Sequence, residues 1–210
     1  GGHSIENEVP IFGMAVTGLV DPQQIWTNGE ARVGDVVILS KAIGTGIMNT
    51  AAKGGVFPIG VQEAIESMSR SNRTARDVAV QFSIHSCTDI TGFSLAGHMC
   101  EMAKASCVSM SIDTQKIPLF TEVLEAAKMG LVPAATYGNR KALCDQVEFD
   151  DSLDPVWSDI CFDPQTSGGL LFTCTESDGE QLLSQLQAKG LQAAQIGRVI
   201  QQGRKQVYVR

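Results

Sequence analysis

Hydrophobic positions along this chain follow two rhythms. Val36-Val37-Ile38-Leu39 is an unbroken apolar run, and its length predicts a strand buried on both faces. Ile11 to Val20 is rich in β-formers and stops at Asp21-Pro22, which predicts a strand followed by a turn; Gly13 and Gly18 within it suggest a bulge or close backbone packing. Val108, Met110 and Ile112 alternate with Ser109 and Ser111, a strand pattern of period two. Ser83–Thr88 and Leu170–Cys174 read as further strands, and Ala194–Ile200 with Gln206–Arg210 as a closing hairpin across Gln202-Gly203. The helical rhythm is clearest over Phe93–Ala105, where Phe93, Ala96, Cys100, Ala103 and Cys107 recur at steps of three and four. Shorter helices are predicted over Ile47–Ala52, over Val61–Ser71 with Ala64, Ile65 and Met68 inward, and over Thr74–Gln81 entered through Asn72. Thr121–Met129, with Val123, Leu124 and Ala127 inward, ends at Gly130, and Asp178–Lys189 ends at Gly190. Residues 131–160 show no steady period. Strands and helices mingle without a strict βαβ alternation, so the expected fold class is α/β (α+β), a mixed β-sheet with packed helices.

Composition narrows the partners. The chain has 210 residues, 43% hydrophobic and 19% charged, which suits a globular domain rather than a disordered segment. Its formal charge of −7 argues against nucleic acid as a partner, because phosphate neutralisation needs a basic face. No apolar run approaches the ~20 residues of a membrane helix. A small phosphorylated ligand stays open, since a metal ion can supply the positive charge. Cysteines 87, 100, 107, 144, 161 and 174 contain no C-x-x-C pair and read as reduced, mostly buried thiols of a cytoplasmic protein. The chain begins Gly1-Gly2-His3-Ser4 without a methionine, which suggests a cut within a larger protein.

Four segments carry candidate chemistry. Thr88-Asp89-Ile90-Thr91-Gly92-Phe93 joins a short strand to the clearest helix. Asp89 there is either an N-cap accepting first-turn N–H groups or a strand-end carboxylate for Mg²⁺. Asp163-Pro164-Gln165-Thr166-Ser167-Gly168-Gly169 is either a plain turn or a nest of N–H groups for an anion. Ser40–Gly46 contains Gly44-Thr45-Gly46 but has neither a dinucleotide fingerprint nor a P-loop lysine. Gly1-Gly2-His3-Ser4 is short enough to wrap a phosphate or ribose. His3, His85 and His98 lack metal-ligand spacing, and His98 reads as a packed residue beside the apolar stripe.

Taken together and in order, GGHSIENEVPIFGMAVTG, SKAIGTGIM, CTDITGFSLAGHMCEM and CFDPQTSGGLLF resemble the selenophosphate synthetase (selenide, water dikinase) family. That family belongs to the aminoimidazole ribonucleotide synthetase-like superfamily. The resemblance implies a C-terminal domain over residues 31–210, with residues 1–30 ending a truncated N-terminal ATP-binding and dimerisation domain. It implies ATP and selenide as small-molecule substrates, Mg²⁺ as cofactor, a homodimer in the full-length protein, and a product, selenophosphate, that serves selenocysteine synthesis. By match to the motifs, Asp89 would be a Mg²⁺ ligand and Gly1, Gly2, His3 and Ser4 would contact ATP. Lys41 and Thr45 are weaker candidates for facing the phosphates, and the Asp163–Gly169 loop reads as structural. The catalytic cysteine or selenocysteine and its lysine would lie upstream of Gly1, so no cysteine here takes that role and the fragment alone is expected to be inactive. The pattern usually has a second glycine where Ser94 stands: serine is strained there if φ is positive and harmless if the position is helical.

Three rivals remain at this stage. One is another ATP-dependent superfamily member, of the ribonucleotide cyclo-ligase, thiamine phosphate kinase or hydrogenase maturation type. Another is a non-catalytic binding or oligomerisation module. In the last, every motif is turn chemistry that stabilises a domain with some other ligand.

Overall fold

The computed structural model describes Glu8, residues 17–22 and residues 24–210. Gly1, Gly2, His3 and Ser4 lie outside the described residues, as does most of the strand expected over Ile11–Val20. The described remainder of that strand, 17–20, is irregular.

Among the described residues, seven strands form one sheet: β1 Val36–Leu39, β2 Ile84–Asp89, β3 Ser109–Ile112, β4 Val147–Phe149, β5 Leu170–Cys174, β6 Ala194–Ile200 and β7 Val207–Val209. Their spatial order is β2-β5-β1-β6-β3-β7-β4, with β2 and β4 at the edges. Pairing is antiparallel from β2 through β3, and parallel for β3 with β7 and β7 with β4. Eight α-helices are found among the described residues: α1 Thr45–Lys53, α2 Pro58–Ser69, α3 Arg73–Ala79, α4 Ser94–Ala105, α5 Val123–Lys128, α6 Ala134–Leu143, α7 Val156–Cys161 and α8 Glu176–Ala188. The mixed sheet with packed helices is the expected architecture.

The apolar run of β1 is fully buried because the sheet is covered on both sides. Val36 and Ile38 point into a layer shared with α3 and α8, while Val37 and Leu39 point into the larger core beneath α1, α2, α4, α5 and α7. Burial of such aliphatic side chains contributes about 1.5–3 kcal/mol each. Gly130 (φ +77°) and Gly190 (φ +75°) end α5 and α8 in the left-handed region, as their positions in the sequence predicted. Thr175 caps α8 by accepting the Asp178 N–H at 3.2 Å.

Several expectations are corrected. Ala194–Ile200 and Gln206–Arg210 do not form a hairpin, because β3 lies between β6 and β7. Ser109 at the start of β3 holds the connection there, its hydroxyl donating to Lys205 O (2.6 Å) and accepting from Gly203 N (2.9 Å). The aperiodic stretch 131–160 holds α6, β4 and α7. Ile65, Leu124 and Phe93 are exposed rather than inward, whereas Ala64 is buried as expected and Gly60 and Ala126 are buried with it. Gly60 lets α2 approach the Thr121 carbonyl, which a Cβ would strike. All six cysteines are free; Cys100, Cys161 and Cys174 are core, but Cys107 and Cys144 are exposed. None of the described helices is long and apolar enough to cross a membrane.

Candidate functional site

The motif loops meet at one end of β1, β2 and β5. The Ser40–Gly46 loop leaves β1, and the Asp163–Gly169 loop enters β5, its antiparallel neighbour. Gln165 Oε1 accepts the Gly44 N–H (3.0 Å), the Thr45 N–H (3.2 Å) and the Thr45 hydroxyl (3.2 Å). Asp163 Oδ2 accepts the Gly46 N–H at 3.0 Å and the Gln165 amide at 2.8 Å. Thr45 Oγ1 in turn accepts the Thr166 N–H at 2.9 Å. The N-terminus of α1, where orphan N–H groups would favour an anion, is therefore capped by two side chains about 120 residues distant. These N–H groups have no donor left for phosphate.

Both candidate roles in this loop pair resolve toward structure. Thr45 is buried within the network just described. Lys41 is buried too, and its ammonium donates to Ser67 O (3.1 Å), Arg70 O (2.7 Å) and Ser167 O (2.9 Å), which uses its three hydrogens. Burial and the nearby Arg70 guanidinium lower the Lys41 pKa. Thr45 does not reach the surface, whereas Lys41, its hydrogens spent on carbonyls, borders the cleft beside Asp89. The glycines are required by close approach: a Cβ on Gly46 would strike the Asp163 carboxylate, one on Gly168 the Ile90 carbonyl, and one on Gly169 the Lys41 amide nitrogen. Asp163 is fully buried, which pushes its pKa up to about 7 against the hydrogen bonds that favour its ionised form; its Oδ1 has no partner.

Asp89 differs in every respect. It is the last residue of edge strand β2, exposed, and its carboxylate accepts no hydrogen bond from another described residue. The N-cap alternative fails, because α4 begins beyond Phe93 with no cap from Asp89. Ser94 takes that part instead. Its Oγ accepts the Gly97 N–H at 3.3 Å, and it is held at φ +73°, the strained member of the two options for this position. The carbonyl of Ile90, next to Asp89, rests on Gly168, and the Ile90 N–H donates to Gly169 O at 2.9 Å. The loop pair thus fixes where the Asp89 carboxylate stands.

A cleft of about 430 Å³ opens beside it, lined by Asp89, Thr91, Ser167, Arg70, Ser71 and Asn72 among others. Asn72 stands at the start of α3 but does not cap it. Its Nδ2 donates to Gly168 O at 2.8 Å, tying α3 to the same loop. Nothing in local spacing signals this contact across 96 residues. The described residues contain no group of three or more His, Cys, Asp or Glu side chains that would enclose a metal. A lone open carboxylate still fits Mg²⁺, which takes one or two carboxylates and completes its shell with water and phosphate oxygens.

Comparison with known proteins agrees with the motif reading. A family model described as AIR synthase related protein, C-terminal domain, matches residues 32–210. A "Selenide, water dikinase" of Treponema denticola is 42% identical over 187 residues, covering 89% of this chain and 52% of the relative. One of Caldanaerobacter subterraneus subsp. tengcongensis is also 42% identical, covering 100% of this chain and 61% of the relative. The chain thus spans somewhat over half the length of the curated relatives it matches. Among solved structures, a hydrogenase maturation protein HypE superposes with a TM-score of 0.61 at 22% identity, covering 87% of this chain and 49% of that one. A thiamine-monophosphate kinase from Stenotrophomonas maltophilia gives 0.55 at 17% identity, covering 90% of this chain and 54% of that one. These two likenesses show a shared fold.

Proposed function

Because this chain belongs to the AIR synthase related protein family, as its C-terminal domain, we propose that it forms part of an enzyme that makes selenophosphate from selenide, ATP and water, releasing AMP and phosphate. The observation that carries the reading is the 42% identity to proteins named selenide, water dikinase, which extends over essentially the whole chain. The open Asp89 carboxylate supports it from the side of the site.

In this reading residues 31–210 form the C-terminal domain and residues 1–30 end an N-terminal ATP-binding domain that dimerises. Gly1, Gly2, His3 and Ser4 contact ATP, and the protein works in the cytoplasm. Asp89 would hold a Mg²⁺ ion, and the ion would supply neutralisation of the triphosphate charge, which is most of what phosphoryl transfer asks of a protein. The saturated loop pair keeps that carboxylate in place, and Arg70 on the cleft wall adds positive charge. The net charge of −7 leaves neutralisation chiefly to metal ions. The nucleophilic cysteine or selenocysteine and its lysine lie upstream, so residues 1–210 alone have no turnover.

Phosphorus NMR of the intact gene product supplied with ATP, Mg²⁺ and selenide tests the reading. Selenophosphate, AMP and phosphate are expected in equal amounts. ADP with phosphorylation of another acceptor, such as thiamine monophosphate, would overturn it. So would turnover by the 210-residue chain alone, for the part of the reading that puts the nucleophile upstream.

A further inference from the structure

The Asp89 cleft has a second oxygen on its wall whose polarity the fold sets. Thr91 lies two residues past the strand end, half-buried, and lines the cleft with Asp89. Its Oγ1 is 3.0 Å from His98 Nε2, and His98 Nδ1 is 3.0 Å from Glu101 Oε2. His98 is buried in α4, while Glu101 is exposed one turn further on. The three residues form a chain running from the solvent face of the helix to the cleft.

Hydrogen-bonding capacity orients that chain. An ionised carboxylate only accepts, so Nδ1 of His98 carries the hydrogen it shares with Glu101. With the ring neutral, Nε2 is a lone pair and the Thr91 hydroxyl donates to it. Thr91 has a single hydrogen, which is spent inward. Only acceptor lone pairs are left for the cleft. A phosphate oxygen, itself an acceptor, gains nothing from such a group. A metal-bound water, which presents hydrogens to its surroundings, does.

We infer that Thr91 accepts a hydrogen bond from a water of the Mg²⁺ ion held at Asp89, with His98 and Glu101 as the positioning residues that keep its hydroxyl turned inward. The inference rests on the Mg–ATP reading above. Helix α4 thereby does more than pack: its exposed Glu101 reaches the metal shell through three hydrogen bonds, the two within the chain and the one from the water to Thr91.

Binding of Mn²⁺ as a paramagnetic probe, in the presence of a non-hydrolysable ATP analogue and followed on the intact gene product, separates the possibilities. Thr91→Val should weaken Mn²⁺ by about 3- to 10-fold, the size of one hydrogen bond. Thr91→Ser should bind as wild type, and Glu101→Ala, which removes the acceptor for His98 Nδ1, should lose about 2- to 5-fold with an unchanged melting temperature. Wild-type affinity in Thr91→Val, or equal losses in Thr91→Val and Thr91→Ser, overturns the inference. Should Thr91→Val not fold, Glu101→Ala decides, since that side chain is exposed: wild-type affinity there overturns it. Asp89→Asn is the control for the underlying reading. If that variant keeps wild-type affinity, the Mg–ATP reading itself has failed. If it alone loses affinity, only the role of Thr91 has.

Discussion

Two loop regions meet at the same end of the sheet, and they behave in opposite ways. In the pair formed by Ser40–Gly46 and Asp163–Gly169, the polar groups are turned on one another. Gln165 and Asp163 satisfy the start of α1, Lys41 satisfies three carbonyls, and each close glycine makes room for a neighbouring atom. In the loop from Asp89 to Thr91, one carboxylate is left facing solvent. A loop rich in glycine, serine and threonine looks like an anion cradle in sequence, yet it binds a ligand only if its donors are unspent. Here the region whose donors are spent is a scaffold, and the exposed carboxylate beside it is the group we propose as the metal ligand.

Substitutions can break that contrast. The largest effect is expected from Gly168→Ala, whose Cβ would strike the Ile90 backbone carbonyl. A loss of about 3 kcal/mol should appear as a lower denaturation midpoint, with ligand affinity affected only through folding. Lys41→Met should cost somewhat less, about 2 to 3 kcal/mol, because it strands buried carbonyls. If Lys41 instead served phosphate, ATP affinity would fall and the melting temperature would hold.

Asp163 sharpens the contrast through pH. Its pKa is about 7 in the fold against about 3.9 when unfolded. A raised pKa means the folded state holds the proton more tightly. The stabilisation is full below about pH 4 and disappears as pH rises through about 7. Between pH 5 and 8 the wild type should lose about 2 kcal/mol from this group, and Asp163→Asn should flatten that part of the curve in thermal melts. Asp150 and Asp154, whose pKa values are lowered by hydrogen bonds and neighbouring charge, act in the opposite sense at the acid end. The smallest effect is a gain. Ser94→Gly removes a left-handed serine at the loss of a modest cap, and should stabilise by about 0.5 to 1 kcal/mol. An unchanged or lower melting temperature would show that the Gly97 bond outweighs the strain.

Much of the scaffold was legible in the chain, because its signals are local. The apolar run of β1, the alternation in β3 and the glycine stops after α5 and α8 each reflect a few neighbouring residues. Residues 131–160 were not legible. Helices α6 and α7 are short, and the only buried residue of α6 is Thr136. The false hairpin at the end had sound turn chemistry; the sequence does not show that β3 takes the place between its two strands. For the candidate site, the motifs marked loops that the fold brings together, but not the bonds that tie them to one another. The bonds that saturate Lys41, Thr45 and Gly46 join residues 26 to 126 positions apart. Asp89 as an N-cap or as a free carboxylate was a choice that only the start of α4 could make.

The central claim is that Asp89 is a ligand position and not a prop. Asp89→Asn in the intact gene product, with melting temperature and Mg²⁺-dependent ATP turnover measured on the same sample, tests it most directly. The account predicts a melting temperature unchanged within about 1 °C, since an exposed carboxylate without hydrogen bonds contributes little, and turnover lower by at least about 100-fold, the scale of one lost charge-stabilising group. Turnover that survives, or falls only in step with the melting temperature, would contradict it.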